Sequence, residues 1–226
     1  MGLQIKQNKT MMSQHKLADI MFCIDNSGSM TDCINGVRNT VNNFVASLEA
    51  GVQGLSPVDW QIGLLNYSAN EFIFVDLAND TSHFKKKLEK REVSGDEFTP
   101  GAIDYAISNA SWRSGAQRVI VVFTDESLKS GYSPSKSAGR FDKLMEKIVN
   151  SHIQIIYYGE QCPYYSQFTK CPKGEVNVVS DFSGISFDEL MTRLAVTVSS
   201  GNAFAGKEPV IKQLVYDLSH VKIKKI

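Results

Sequence analysis

The segment Asp25-Asn26-Ser27-Gly28-Ser29-Met30 sets one carboxylate and two hydroxyls at alternate positions directly after the apolar run Ala18 to Ile24. All three are hard oxygen donors. Where a strand turns into a helix, that spacing lets them converge on one point, a set suited to Mg²⁺ or Mn²⁺ rather than zinc. Gly28 lets the turn close tightly, and a helix beginning near Met30 directs free backbone N–H groups toward an anionic ligand. Alone, the same residues need do no more than cap that helix, with Ser27 or Ser29 as the cap and Asp25 beside it. A second carboxylate changes the balance. Asp125 ends another apolar run, Arg118 to Thr124, and two carboxylates meeting at neighbouring strand ends repel unless a cation lies between them.

Those positions demand a particular scaffold. Ile20 to Ile24 and Val119 to Phe123 are short and almost continuously apolar, the pattern of strands buried on both faces of a parallel sheet. Met30, Ile34, Val37, Val41, Phe44, Val45 and Leu48 recur at three- and four-residue intervals and predict a helix closed by Gly51. Trp60 to Ser68 and Phe72 to Leu77, separated by Ala69-Asn70-Glu71, predict a hairpin and with it one antiparallel edge strand. Further helices are predicted over Ser82 to Arg91, along Ile103, Ala106, Ile107 and Ala110, along Phe141 to Val149, and along Phe187 to Val198; further strands over Ile153 to Tyr158 and Val176 to Val179. The alternation predicts an α/β fold in three α/β/α layers, a doubly wound, Rossmann-like, mostly parallel sheet. Ligands of such sheets bind at the carboxyl ends of the strands, where strand order reverses. Residues 1–16 read as a flexible leader, 17–200 as the domain, and 201–226 as a C-terminal extension whose Val210, Ile211, Leu214, Val215, Leu218 and Val221 have helical spacing.

The pattern Asp25-x-Ser27-x-Ser29, with Asp125 at the later strand end and the order of elements from 17 to about 199, resembles the von Willebrand factor A domain family with its metal-ion-dependent adhesion site. The resemblance implies that the Ser27 and Ser29 hydroxyls hold Mg²⁺ (or Mn²⁺) directly, that Asp25 and Asp125 act directly or through waters, and that an open coordination position accepts an Asp or Glu side chain from a protein partner. The family also uses a threonine on a middle loop. Here that loop is Ser94-Gly95-Asp96-Glu97-Phe98-Thr99-Pro100-Gly101, a departure from the usual pattern. Aligned on Ala102-Ile103, the family's threonine position falls on Glu97; a loop two residues shorter puts Thr99 there, and Thr99 is the expected fifth member. Were Glu97 to point inward, the site would hold metal more tightly and attract a carboxylate less. Intracellular members commonly act as adaptors, often with AAA+ ATPases, kinases or phosphatases, so the resemblance implies an interaction module without catalysis.

Other chemistry finds little support. The Asp25 loop lacks the second Asp that a haloacid-dehalogenase-type phosphatase needs two residues on, since Ser27 stands there; a metal-dependent phosphohydrolase remains the competing reading. A domain with a degenerate metal site, binding through its helices, is a third. Neither G-x-G-x-x-G after a strand nor a P-loop occurs, and His15, His83, His152 and His220 are scattered as surface or interface residues. With 24 basic and 24 acidic residues the net charge is zero, which removes the field that draws proteins to nucleic acid. Membrane-spanning length and a signal peptide are absent from the sequence, so a cytoplasmic location is expected. Cys162 and Cys171 read as loop thiols, with Tyr157, Tyr158, Tyr164 and Tyr165 either a partner-recognition element or aromatics folded onto the sheet. Glu126 reads as a solvated rim residue and Thr124 as a strand end.

Overall fold

The first apolar run forms β1 (Lys16–Asp25), the centre of a seven-stranded sheet ordered β6 (Glu175–Val178), β5 (Ile153–Gly159), β4 (Gln117–Thr124), β1, β2 (Val58–Tyr67), β3 (Glu71–Ala78), β7 (Lys222–Lys225). The computed structural model describes residues 16–53, 55–88, 98–126, 134–201 and 210–226; of the expected leader, residues 1–15 lie outside these, as do 89–91 of the predicted second helix, Glu97, and residues 202–209. A 3-10 turn, Gly28–Met30, leads from β1 into α1 (Thr31–Ala50). β2 (Val58–Tyr67) and β3 (Glu71–Ala78) form the expected hairpin, followed by α2 (Thr81–Lys87) and α3 (Thr99–Asn109). β4 (Gln117–Thr124), α4 (Pro134–Asn150), β5 (Ile153–Gly159), β6 (Glu175–Val178) and α5 (Phe187–Ser200) complete the doubly wound part.

β1 is parallel to β2 on one side and to β4 on the other. Strand order therefore reverses beside β1, and the crevice that opens there faces the loops after Asp25 and Thr124. The two faces of β1 feed two cores. Ile20, Phe22 and Ile24 pack with Met30, Val37, Phe44 and Leu194 beneath α1 and α5. Met21 and Cys23 pack with Ile103, Ile107, Leu144 and Ile148 beneath α3 and α4. A strand serving both layers cannot alternate polar with apolar residues, which is why this run is continuous. α1 and α5 approach closely: a Cβ on Gly36 would stand 2.1 Å from the Phe187 ring. Gly51, at φ 75°, ends α1 in a conformation that favours glycine.

Two expectations are corrected at the far edge. The residues from 210 onward are turns and bends that finish as β7 (Lys222–Lys225), not a helix. Their helical spacing loses to tertiary partners: the backbone of 213–216 bonds to buried side chains of α3 and α4, and β3 offers a strand edge. β3 is antiparallel to β2 as expected, yet it is not the edge, because β7 pairs with it in parallel from Glu71↔Lys222 to Phe74↔Lys225. Lys16, read with the leader, is the first residue of β1, and its ammonium donates to the Ser199 carbonyl at 2.8 Å.

Candidate metal centre

At the carboxyl end of β1 the chain turns sharply, and the turn itself orients the donors. The Ser27 N–H donates to Asp25 Oδ1 at 2.9 Å, an Asx turn that holds the carboxylate back over its own loop. The Asn26 N–H donates to the Tyr67 carbonyl at 2.8 Å, tying the loop to the end of β2. Ser27 Oγ lies 2.9 Å from Ser29 Oγ and donates to Asp125 Oδ1 at 3.4 Å. Asp25 is fully buried, Ser27 and Asp125 are half-buried and Ser29 is exposed. The cluster thus opens to solvent on its serine side.

Thr99 is joined to this group from below rather than through the serines. The buried Tyr67 hydroxyl, 2.7 Å from Thr99 Oγ1, donates to it; Thr99 Oγ1 donates to Thr124 Oγ1 at 3.4 Å, and Thr124 Oγ1 donates to Asp25 Oδ2 at 3.0 Å. Three hydroxyls in series end on a carboxylate, and bonds aligned this way strengthen one another in a low-dielectric interior. A hydroxyl has two lone pairs, so Thr99 retains one for a further partner. Thr124, expected only to end a strand, is the residue that aims Asp25.

Glu126 departs most from expectation. It is 4% exposed, accepts the Tyr165 hydroxyl proton at 2.6 Å and the Thr99 N–H at 3.3 Å, and its own N–H donates to Thr124 Oγ1 at 3.0 Å. It ties the start of α3 to the loop after β5. That loop folds its aromatics inward: Tyr165 and Phe168 are fully buried, stack on each other and meet Tyr157 and Phe141 at tilted angles. Cys162 and Cys171 are buried free thiols. Glu126 and Tyr165 carried no motif in the sequence; Tyr67 could have been found, since it faces Asp25 in the β1–β2 register.

The field of these carboxylates is felt by their neighbours. Burial, then the Asp25 and Glu126 charges, push the Tyr67 phenol well above its ordinary value. Burial and Glu126 do the same to Tyr165, and burial with Asp25 and Asp125 raises the Cys33 thiol. Protonated phenols and thiol therefore surround a negative centre, the electrostatics that favour a cation. The donor set fits a hard divalent ion, being hydroxyl and carboxylate oxygen throughout. Among the described residues no group of three or more His, Cys, Asp and Glu side chains comes together as a charge-rich metal cage; the set at the ends of β1 and β4 combines serines with carboxylates instead.

A doubly wound sheet with an oxygen-donor cluster at its switch point defines the class of molecule, an α/β domain whose candidate site lies on the strand-end loops. The chain belongs to the von Willebrand factor type A domain family, whose model matches residues 19–183, and so to a family of protein-interaction modules. A search of curated protein sequences found no match. Among solved structures, BatB from Bacteroides thetaiotaomicron is similar at 16% identity and a TM-score of 0.57 over 81% of this chain and 100% of that one. Proximal thread matrix protein 1 from the mussel byssus, solved with a zinc-occupied MIDAS motif, is similar at 18% identity and a TM-score of 0.57, covering 80% of this chain and 45% of that one. The pilus adhesin SpaC from Lactobacillus rhamnosus GG is similar at 16% identity and a TM-score of 0.56, over 82% of this chain and 30% of that one. At these identities the likeness is one of fold. The chain spans less than half of the mussel protein and under a third of the adhesin.

Proposed function

We propose that the chain is a divalent-metal-dependent protein-interaction module in which Ser27, Ser29, Thr99, Asp25 and Asp125 hold Mg²⁺ or Mn²⁺. The observation that carries this reading is the convergence of Ser27 Oγ on Ser29 Oγ and Asp125 Oδ1, 98 residues apart in sequence, beside the buried Asp25. A bound cation supplies an electrophilic centre for an external oxygen ligand, and the exposed serine side is where such a ligand enters. The chain's own residues set the terms. Asp25 is held by its Asx turn and by Thr124; Thr99 is held by Tyr67 and Glu126; the serines remain at the surface. An Asp or Glu of a protein partner is the ligand this geometry suits. The zinc in the mussel protein's MIDAS motif supports a metal at the corresponding place.

The module has no catalytic role in this reading and acts as an adaptor or regulatory subunit, with an AAA+ ATPase, kinase or phosphatase system as the proposed setting. Four buried free thiols support a reducing, cytoplasmic environment, and no described helix is long and apolar enough to cross a membrane. Calorimetric titration of Mg²⁺ and Mn²⁺ into the chain and into Asp25→Ala tests the reading, with a thermal shift alongside, because binding to the folded state raises stability by mass action. Saturable binding lost in the variant is expected. Absence of binding to the unaltered chain would remove the metal site and leave interaction through other surfaces; phosphate-ester turnover dependent on Mg²⁺ would instead favour a phosphohydrolase.

A further inference from the structure

The helix that opens with Thr99 also carries the anchor of the C-terminal segment. Asp104 of α3 is fully buried, and its Oδ2 accepts the N–H groups of Val215 and Tyr216 at 2.6 and 2.8 Å. Its Oδ1 accepts Lys147 Nζ of α4 at 2.5 Å. The same ammonium donates to Ser108 Oγ at 2.5 Å and to the Gln213 carbonyl at 2.7 Å. Two charges taken out of water are costly unless their remaining lone pairs and protons are met. Here the backbone of 213–216 meets them, so the segment completes the α3–α4 ion pair rather than merely covering it.

Further along, the segment reaches the residue next to the metal loop. Tyr216 packs edge-on against the Phe98 ring at 5.5 Å, and His220 lies 5.8 Å from it. Phe98 immediately precedes Thr99, caps α3, and accepts the Ala102 N–H at 3.0 Å. Its ring also rests on the first turn of α3, where a Cβ on Gly101 would stand 2.4 Å from Phe98 Cε1. Phe98 is clamped between α3 and the segment. Beyond it the Lys222 N–H donates to the Asn70 carbonyl at 2.8 Å and β7 pairs with β3.

We propose that residues 210–226 are a positioning strap for the metal site. Docked, the strap fixes Phe98 and the first turn of α3, and so the place of the Thr99 hydroxyl; metal affinity then depends on strap docking. The proposal rests on the metal-binding reading above. Thr99 holds its two hydroxyl partners at 2.7 and 3.4 Å, so a shift of α3 by a fraction of an ångström is enough to break the longer contact. Linkage makes the effect reciprocal: whatever factor the strap adds to metal affinity, metal adds to strap docking.

The test uses the full chain with Mg²⁺ as probe. Tyr216→Ala and Val215→Pro release the strap, the second by removing the N–H that Asp104 accepts, while Tyr216→Phe keeps the ring against Phe98. Leu194→Ala, in the core under α1 and α5 on the opposite face of the sheet, is the control for general destabilisation. Calorimetry is expected to show Mg²⁺ binding weakened about fivefold or more in the two releasing variants. Affinity should be unaltered in Tyr216→Phe, and unaltered in Leu194→Ala despite a lower melting temperature. In the unaltered chain Mg²⁺ should slow hydrogen exchange at the Val215 and Tyr216 amides by the same factor. Unaltered affinity in variants whose exchange shows the strap released overturns the proposal, as does equal loss in Leu194→Ala. If the releasing variants do not fold, exchange in the unaltered chain decides alone, and no Mg²⁺ effect there overturns it. No Mg²⁺ binding to the unaltered chain removes the site reading as well, a different result from binding that ignores the strap.

Discussion

β1 carries a fully buried carboxylate at each end, and the two are held differently. Asp19, near the amino end, accepts the Arg113 backbone N–H at 2.6 Å and Arg113 Nε at 2.7 Å, while the same guanidinium reaches Asp59 at 2.9 Å and the Ala18 carbonyl at 3.0 Å. Burial raises the Asp19 carboxyl, and the Arg113 hydrogen bonds and charge pull it back. Asp25, at the carboxyl end, takes the Ser27 N–H and the Thr124 hydroxyl, with further hydroxyls and a second carboxylate gathered around it. A carboxylate met by a forked cation is structural, whereas one oriented by neutral donors beside a like charge is arranged to meet something from outside. One strand thus carries a clamp at one end and, at the other, the carboxylate of the proposed metal site.

That contrast is sharpest in a double comparison. Asp25→Ala is expected to weaken Mg²⁺ binding by about 100-fold or more, while Asp19→Asn leaves affinity as it was; calorimetry on both checks this, and comparable losses would erase the distinction. Next in size, Arg113→Ala should destabilise the fold by about 2–3 kcal/mol, because it strands a buried carboxylate, with some relief from water at the partly exposed arginine. Urea unfolding measures the loss, and Mg²⁺ affinity should not follow it. A smaller effect is expected for Glu126→Gln, which keeps an acceptor for Tyr165 and Thr99 but removes one negative charge. Mg²⁺ affinity should fall about three- to tenfold, and an increase would show that Glu126 competes with the ion instead of supporting it.

The mildest test is pH. The buried Tyr67 and Tyr165 phenols lie well above their ordinary value of 10.0, and burial pushes Tyr158 up to about 12. The folded chain keeps protons that the unfolded chain releases near pH 10, so this stability is complete below about pH 10 and drains away as pH rises toward the folded values. Melting temperature should decline over that window, and Tyr165→Phe should flatten the decline. A slope identical to that of the unaltered chain would mean that Tyr165 does not titrate as its burial requires.

Much of this was legible in the residues. The continuous apolar runs of β1, β4 and β5 reflect burial on both faces and the three-four spacing of α1 and α5 burial on one stripe, a local property of sequence, whereas α3 is buried on nearly every side. The Asp25, Ser27 and Ser29 turn is legible for the same reason, since its spacing and its Asx bond are local. The last part of the chain was not. Val210 to Val221 have a helical period, yet Asp104, Lys147 and the β3 edge compete for the same backbone groups and win, and none of them is near in sequence. Glu126 was misread likewise: a glutamate after a strand has no local mark of burial, and its Oε2 accepts from Tyr165, in the loop after β5, and from Thr99, at the start of α3.

By itself the sequence determined the layered α/β fold, the donor types and the strand ends on which they sit, because periodicity and turn chemistry act over a few residues. Tertiary structure alone decided that Asp125 meets Ser27, that Thr99 is linked to Asp25 through Thr124, that Glu126 is buried among hydroxyls, and that the C-terminal residues dock on α3 and α4 and end in an edge strand. The physical reason is common to all four. Each depends on which buried polar groups must share partners across long separations, and that requirement exists only once the sheet has brought them together.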